Sequence, residues 1–260
     1  MMDQYKQEIT FIVEAMKTAY ETCMGHVSSQ GQEKALFDVV TETDLAIERY
    51  LIKSIKSQFP NDHILSEEYH GTTKIKERTW TIDPIDGTFN FSTQSPLYGV
   101  QCALIEHNEI VVAAIYLPIL GETYTAIKQQ GAYKNGTLIK VNQDVKLDQA
   151  IVSIGDYSHT KFEQATLQHQ VVGKLYKKVG RIRMYGAACI DFSFVAAGKN
   201  AAAIVLTDNM WDIAPGILIC KEAGAVITNP KGTLYQLGDD GVIVLANAAI
   251  LEIIKQSFLK

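Results

Sequence analysis

The order of the predicted helices and strands changes once along the chain, and this change restricts the fold more than any other feature. Two amphipathic helices come first, over residues 4–24 and about 44–58, with Thr43 as the predicted N-cap of the second. Short apolar strands then follow one another from residue 63 to residue 141, separated by Gly, Pro or Asn. Consecutive strands with short turns predict a largely antiparallel sheet packed on the two helices.

The rest of the chain alternates between helix and strand. After a predicted hairpin turn at Asn135-Gly136 and a polar stretch, five strands alternate with four helices. The four predicted helices span 161–178, 188–198, 212–223 and the last stretch to residue 260. Such alternation predicts an α/β layer with helices on its faces. We therefore expect an N-terminal α+β part, residues 1–145, and a C-terminal α/β part, residues 146–260, that share one active cleft.

Composition and charge argue against several classes of function. A formal net charge of −5 provides no general attraction to nucleic acid or to an anionic membrane surface. No window approaches the roughly 20 apolar residues of a membrane span, and the N-terminus lacks the long apolar core of a signal peptide. The four cysteines are far apart among apolar neighbours, as expected of reduced buried thiols. These features predict a soluble, cytoplasmic protein that binds neither nucleic acid nor membrane.

Two aspartates follow a predicted apolar strand within one stiff turn, in the stretch WTIDPIDGTFNF, residues 80–91. Pro84 restricts the backbone and Gly87 permits a sharp turn, so Asp83 and Asp86 cannot move apart. Like charges held this close are tolerated when a cation lies between them, and hard carboxylate oxygens favour magnesium. The alternative is that both aspartates only end a strand and cap the next turn.

Other acidic residues stand at predicted strand ends and helix starts. Glu67 and Glu68 end the apolar strand that begins at His63, while Asp44 and Asp212 begin predicted helices. Each position alone has an ordinary explanation, either a solvated strand edge or a helix N-cap. Because adjacent strands of one sheet bring their ends together, the combination predicts a single acidic metal site.

These motifs together resemble the inositol monophosphatase family of magnesium-dependent, lithium-sensitive sugar-phosphate phosphatases. The signature WxxDPxDGTxNF is present at residues 80–91, and WDxAxGxxxxxEAGG at residues 211–225, with Ala225 in place of the last glycine. The element DLVTxxD corresponds to DVVTETD at 38–44, and GEE corresponds to SEE at 66–68. The motifs keep the family's order, and the predicted elements around them extend the likeness over essentially the whole chain.

The resemblance implies a layered αβαβα sandwich, a homodimer and a site for two magnesium ions, with a third, looser ion near Glu67 often invoked in the family. By motif position, the metal ligands would be Glu67, Asp83, the Ile85 carbonyl, Asp86 and Asp212. The expected catalytic residues are Thr88, Asp44 and Glu67, with Thr88 paired with Asp44 to orient and help deprotonate the attacking water. The backbone N–H groups of Gly87 and Thr88 would face the phosphate. The implied reaction is direct in-line hydrolysis of a phosphate monoester by a metal-activated water.

The substrate side departs from the pattern of the family's inositol-selective members. Those members carry a glutamate shortly before the WD pair, and here Val205 stands at about that position. The expected substrate-binding residues are Asp86, Gly87, Thr88, Gly186, Ala187, Ala188, Val205 and Asp212. Small residues at Ala187 and Val205 leave room, so a larger substrate is also expected. The candidates are inositol monophosphate, fructose 1,6-bisphosphate, the 2′-phosphate of NADP and a nucleotide bisphosphate.

The alternative is a regulatory protein that binds the RNA machinery, because one bacterial branch of the resembled family has such a role. A lost metal ligand or a basic surface run would favour that role. Every metal-ligand position is intact here, and the longest basic cluster, KIKER, is short and interrupted by Glu77. The sequence therefore favours an enzyme, a phosphoric monoester hydrolase that acts on a small phosphorylated substrate.

Overall fold

The computed structural model describes residues 4–24, 31–35, 38–72, 74–157 and 161–258 of the chain. Helices in these ranges are α1 Lys6–Met24, α2 Glu42–Gln58, α3 Thr88–Ser92, α4 Phe162–Leu175, α5 Ala188–Ala196, α6 Met210–Glu222 and α7 Ala248–Phe258. Strands β1 Gln32–Ala35 and β2 Asp38–Val40 form a two-stranded antiparallel sheet. All other strands belong to two larger sheets.

The larger sheet has seven strands in sequence order. They are β3 His63–Ser66, β4 Arg78–Asp86, β5 Gly99–Glu106, β6 Glu109–Leu117, β7 Glu122–Ile127, β8 Ala132–Lys134 and β9 Thr137–Ile139. Every pair is antiparallel except β3 and β4, which run parallel. The predicted hairpin turn is confirmed, since Asn135 and Gly136 join β8 to β9 with φ of 48° and 77°. The parallel pair brings Glu67, the residue after β3, beside the C-terminal part of β4, which contains Asp83.

The smaller sheet has five strands in the order β11-β10-β12-β14-β13. They are β10 Ile151–Ile154, β11 Arg181–Arg183, β12 Ala202–Val205, β13 Val226–Thr228 and β14 Val242–Leu245. β10 is parallel to β11 and β12, whereas β14 is antiparallel to both of its neighbours. The sheet is thus mixed, because β13 and β14 follow one another without an intervening helix.

The helices form three layers around the two sheets. α1 and α2 pack together and contact one face of the seven-stranded sheet, where Ile12, Met16 and Leu51 are fully buried. α5 and α6 contact both sheets, and α4 and α7 pack against one another beside the five-stranded sheet. The mostly apolar sequences of α5 and α6 suit helices that are buried between two sheets. The predicted layered αβαβα sandwich is confirmed.

One hydrophobic core, centred on α5 and α6, includes residues from both predicted parts of the chain. Ala113 of β6, Phe192 of α5, Ile213 of α6 and Val244 of β14 all belong to it. Whether residues 1–145 and 146–260 are separate domains stays a prediction. No helix in the described part of the chain is long and apolar enough to cross a bilayer.

Two helix starts differ from the sequence prediction. The N-cap of α2 is Thr41, not Thr43, because the Thr41 side chain accepts the Asp44 N–H while the Asp44 carboxylate accepts the Thr41 N–H. Thr43 is itself a buried residue in the first turn. α6 begins two residues before Asp212, after Asn209. Asp212 therefore lies inside the first turn of its helix and does not open it.

Candidate active site

The candidate site is built around the turn that leaves β4. The pairing of β4 with β5 shifts its register between Asp83 and Asp86, and Gly87 then adopts φ +90° before α3 begins at Thr88. A Cβ at Gly87 would lie only 2.9 Å from the Cβ of Ala187, so glycine is required by conformation and by space. This strand-turn-helix unit presents Asp83, Asp86 and Thr88 to one cavity.

Asp83 is buried, with 1% of its surface exposed. Its Oδ2 accepts a long hydrogen bond of 3.4 Å from Gln101 Nε2, and its Oδ1 has no partner. Burial, and then the negative charges of Glu67, Asp86 and Asp212, raise the pKa of Asp83 well above its ordinary value. A buried carboxylate with an unpartnered oxygen and acidic neighbours is a group that a cation would stabilise.

Glu67 and Asp212 reach the cavity from different layers. The Glu67 N–H donates to the Ile82 carbonyl at 3.3 Å, continuing the parallel pairing by one residue beyond β3. Burial and the charge of Asp86 raise the pKa of Asp212 to about 7. Gln101 Nε2 also lies 3.2 Å from the Asp212 carbonyl oxygen. Gln101 therefore contacts both predicted ligands, Asp83 and Asp212. The sequence analysis did not predict this contact, although a single polar residue within the apolar strand β5 was a signal for it.

Asp86 faces the N-terminus of α5. Its Oδ1 accepts the Ala188 N–H at 3.2 Å and its Oδ2 accepts the Cys189 N–H. Burial raises the pKa of Asp86, while these hydrogen bonds oppose the rise. Unpaired N–H groups and the helix dipole make such a terminus favourable for a carboxylate. Ala188, predicted only as a substrate-side residue, thus also holds an acidic residue of the site.

Thr88 and Asp44 meet as expected from the family motifs. Thr88 Oγ1 lies 3.0 Å from Asp44 Oδ1 and 2.9 Å from the Ile85 carbonyl oxygen, so its single proton has two acceptors. Asp44 is fully buried, and burial raises its pKa to about 6 against the opposing hydrogen bonds from Thr41 and Thr88. A buried carboxylate behind a hydroxyl can both orient that hydroxyl and receive a proton from it.

The cavity in front of these groups has a volume of about 290 Å³. Its lining includes every predicted metal-ligand and substrate-binding residue: Glu67, Asp83, Ile85, Asp86, Gly87, Thr88, Gly186, Ala187, Ala188, Val205 and Asp212. Asp44 lies behind Thr88 and is not part of the lining. Two further acids, Asp156 and Asp191, line the cavity and were not predicted, although Asp156 stands two residues after the end of β10.

Two acids near the motifs do not line the cavity. Asp208, the nearest acid to Val205 in sequence, forms an exposed ion pair with Lys161 at 2.7 Å. Glu68 donates its backbone N–H to Glu48 at 2.9 Å and is also outside the lining.

The donor set fits a divalent cation bound partly through water. Among the described residues, no three His, Cys, Asp or Glu side chains are gathered closely enough to hold an ion by themselves. Mg²⁺ does not need such a cage, because it keeps several waters and uses one or two carboxylates together with substrate phosphate oxygens. The unpartnered Asp83 Oδ1 and the crowded acids around it meet that requirement.

A layered αβαβα sandwich with an acidic cluster at a strand-to-helix turn is the architecture of a hydrolase class that acts on phosphate monoesters. The chain belongs to the inositol monophosphatase family, whose model matches residues 4–258. Relatives in this family that are named inositol monophosphatase are phosphoric monoester hydrolases.

Curated relatives and a solved structure agree with this assignment. An inositol monophosphatase from Dictyostelium discoideum is 35% identical over 89% of this chain and 86% of its own length. A fructose-1,6-bisphosphatase/inositol-1-monophosphatase from Thermotoga maritima is 32% identical over 80% of this chain and 78% of its own length. The Nus factor SuhB of Escherichia coli K12 is 32% identical over 86% of this chain and 83% of its own length. The solved IMPase of Thermotoga maritima has a TM-score of 0.85 and 27% identity, covering 96% of this chain and 98% of that one.

Proposed function

We propose that the chain is a magnesium-dependent phosphomonoesterase that hydrolyses inositol monophosphate or a related small sugar phosphate. The observation that carries the proposal is the buried Asp83, which has one unpartnered oxygen and lies among Glu67, Asp86 and Asp212. Thr88, which follows Asp86 on the same turn, is hydrogen-bonded to Asp44 of α2. Water attack on a phosphate dianion needs bound cations, which the carboxylates would hold, and a proton acceptor for the water. The Thr88 hydroxyl with the Asp44 carboxylate can serve as that acceptor.

The residues of the chain have distinct roles in this mechanism. Bound divalent cations neutralise the phosphate, lower the pKa of a water and stabilise the leaving alkoxide. Glu67, Asp83, the Ile85 carbonyl, Asp86 and Asp212 would hold two such cations. The Thr88 hydroxyl accepts a proton from the attacking water while it passes its own proton to Asp44 Oδ1. The Gly87 and Thr88 N–H groups, at the unpaired start of α3, orient the phosphate.

The cavity supports a small monophosphate better than a large or doubly phosphorylated substrate. A volume of about 290 Å³ lies at the small end of the range of about 300–1,000 Å³ for ligand pockets. No Lys or Arg is among the described residues that line it, whereas Asp156 and Asp191 add negative charge. A second phosphate would therefore meet acids and no cationic side chain of the described lining.

A phosphate-release assay over a substrate panel tests the proposal. Inositol 1-phosphate, fructose 1,6-bisphosphate, NADP and a nucleotide 3′,5′-bisphosphate would be compared at equal concentration, with Mg²⁺ and with EDTA. We expect hydrolysis of inositol 1-phosphate that EDTA abolishes and excess Mg²⁺ restores. Faster release from NADP or fructose 1,6-bisphosphate would keep the phosphatase class but overturn the small-substrate assignment.

The regulatory alternative is supported by the 32% identity to a Nus factor. A folded protein that releases phosphate from none of the panel compounds would favour it. Lithium inhibition, a homodimer and a cytoplasmic location are further expectations from the resemblance and composition. Inhibition by LiCl in the same assay and the mass measured by light scattering test the first two.

A further inference from the structure

The buried carboxylate of Glu48, on α2, lies against the turn that follows β3. Glu48 Oε1 accepts hydrogen bonds from Ser66 Oγ at 2.5 Å and from the Tyr69 N–H at 2.8 Å, and Oε2 accepts from the Glu68 N–H at 2.9 Å. Glu48 is fully buried. Its three donors come from residues on both sides of Glu67, so the backbone that carries Glu67 is held at three points.

One face of α2 supports both halves of the proposed chemistry. Asp44 and Glu48 are four residues apart, so they lie on the same face of the helix, separated by about 6 Å along its axis. Asp44 holds the Thr88 hydroxyl, and Glu48 holds the turn that carries Glu67. The helix therefore sets the distance between a predicted catalytic residue and a predicted metal ligand.

The far end of this turn is exposed but approaches the start of α6. A Cβ at Gly71 would lie 3.2 Å from the Glu67 carbonyl oxygen and 3.5 Å from the ring of Trp211, the residue before Asp212. The turn therefore runs from its contacts with α2 to the neighbourhood of α6. A change in its backbone would shift Glu67 relative to Asp83 and Asp212.

Ser66 has a specific part in this arrangement. In the motif of the family, the residue before the two glutamates is usually glycine, which has no side-chain donor. Here the Ser66 hydroxyl is buried and donates to Glu48. This serine therefore adds a third hydrogen bond to the two that the Glu68 and Tyr69 N–H groups donate to Glu48.

We propose that Glu48 is a positioning residue that places Glu67, and thereby sets the affinity of the carboxylate cluster for divalent cations. The inference rests on the proposed function only for the identity of the reaction. Removal of a residue that hydrogen-bonds to a metal ligand and orients it commonly weakens metal binding about 10- to 100-fold. Replacement of the Glu48 carboxylate by an amide puts an NH₂ group against N–H donors, which releases the turn.

The matched control is Asp62, a carboxylate that is buried to a similar degree. Asp62 accepts hydrogen bonds from Arg78 Nε at 2.9 Å and Trp80 Nε1 at 2.8 Å, and it does not line the cavity. Asp62→Asn therefore removes a buried acceptor of the same kind without touching the Glu67 turn. This control distinguishes a general loss of protein stability from a change in the position of Glu67.

The test is calorimetric titration of the full chain with Mg²⁺, for the wild type, Glu48→Gln, Ser66→Ala and Asp62→Asn. We expect Glu48→Gln to raise the dissociation constant for Mg²⁺ about tenfold or more, and Ser66→Ala to raise it by a smaller factor. Asp62→Asn is expected to lower the melting temperature and leave the dissociation constant unchanged. In hydrolysis, Glu48→Gln should raise the Mg²⁺ concentration for half-activation and leave KM at saturating Mg²⁺ unaltered.

Unchanged Mg²⁺ affinity in Glu48→Gln would overturn the inference. If that variant does not fold, Ser66→Ala decides, and wild-type affinity in Ser66→Ala overturns the inference in the same way. A wild type that binds Mg²⁺ but hydrolyses no phosphate ester contradicts the proposed function alone, because the titration still measures the role of Glu48. A wild type that binds no divalent cation overturns both.

Discussion

The hydroxyl of Thr88 donates a hydrogen bond of 3.0 Å to Asp44, a residue 44 positions earlier in the chain. The same hydroxyl lies 2.9 Å from the Ile85 carbonyl oxygen, so its proton points toward one of two acceptors while its lone pairs face the cavity. Asp44 is in turn held by the backbone N–H of Thr41. The pair is therefore fixed at both ends before any substrate binds.

Loss of the Thr88 hydroxyl should reduce turnover far more than loss of its methyl group. Thr88→Val keeps the shape but removes the proton path to Asp44, and we expect kcat to fall by about 10²- to 10⁴-fold. Thr88→Ser keeps the hydroxyl and should retain most activity. Steady-state phosphate release measures both, and equal activity of the Val and Ser variants would contradict the proposed role.

The raised pKa of Asp44, about 6, predicts an acid limb in the pH profile of kcat/KM. Below that pH Asp44 is protonated and cannot take up the proton from Thr88, so activity should fall as pH decreases through about 6. Profiles measured between pH 4.5 and 8 at saturating Mg²⁺ test this. A profile that is flat through pH 5 would contradict the role of Asp44 as the proton acceptor.

The same shift affects stability in a defined direction. An acid with a folded-state pKa of about 6 and an ordinary value of 3.8 binds its proton more tightly in the native state. Its contribution to stability is full below about pH 4 and is lost as pH rises toward 6. Melting temperatures in EDTA should show a smaller decline over this range for Asp44→Asn than for the wild type. An identical decline in both proteins would indicate that Asp44 is not the titrating group.

Asp83→Asn should abolish most activity and leave the fold intact. The substitution removes a buried charge that has one unpartnered oxygen and three acidic neighbours, so the metal-free variant should melt at or above the wild-type temperature. Turnover should fall by about 10²-fold or more, since a proposed metal ligand is lost. Mg²⁺ should raise the melting temperature of the wild type but hardly that of the variant. Near-normal activity would contradict the site assignment.

Gly216→Ala should destabilise the protein through packing alone. A Cβ at Gly216 on α6 would lie 2.0 Å from Cδ2 and 2.6 Å from Cβ of Phe192 on α5, in the layer between the two sheets. We expect a loss of about 1–3 kcal/mol of unfolding free energy. Gly173→Ala is the control, because Gly173 is exposed on α4 and nothing lies within 4 Å of its added Cβ. Alanine there should gain about 0.5–1 kcal/mol. Urea denaturation of both variants measures the difference, and equal stability would contradict the close helix contact.

Local sequence determined a large part of the fold and of the acidic cluster. Periodicity and turn residues predicted the helices, the strands and the hairpin at Asn135-Gly136, because these depend on neighbours a few residues apart. Asp83 and Asp86 were predictable as a close pair for the same reason, since only Pro84 and Ile85 stand between them. Short-range cues were less exact at helix starts, where Thr41 competes with Thr43 for the N-cap of α2.

Tertiary structure alone decided how distant segments meet in the site. The contacts of Asp86 with the Ala188 and Cys189 N–H groups join residues about a hundred positions apart. Glu48 with Ser66, and Gln101 between Asp83 and the Asp212 carbonyl, are equally invisible in any local pattern. Such contacts arise because burial in a layered core removes water from each polar group and obliges it to find a partner in another element. Local sequence determines the helices and strands, whereas packing of the layers determines which polar groups from distant segments become hydrogen-bond partners.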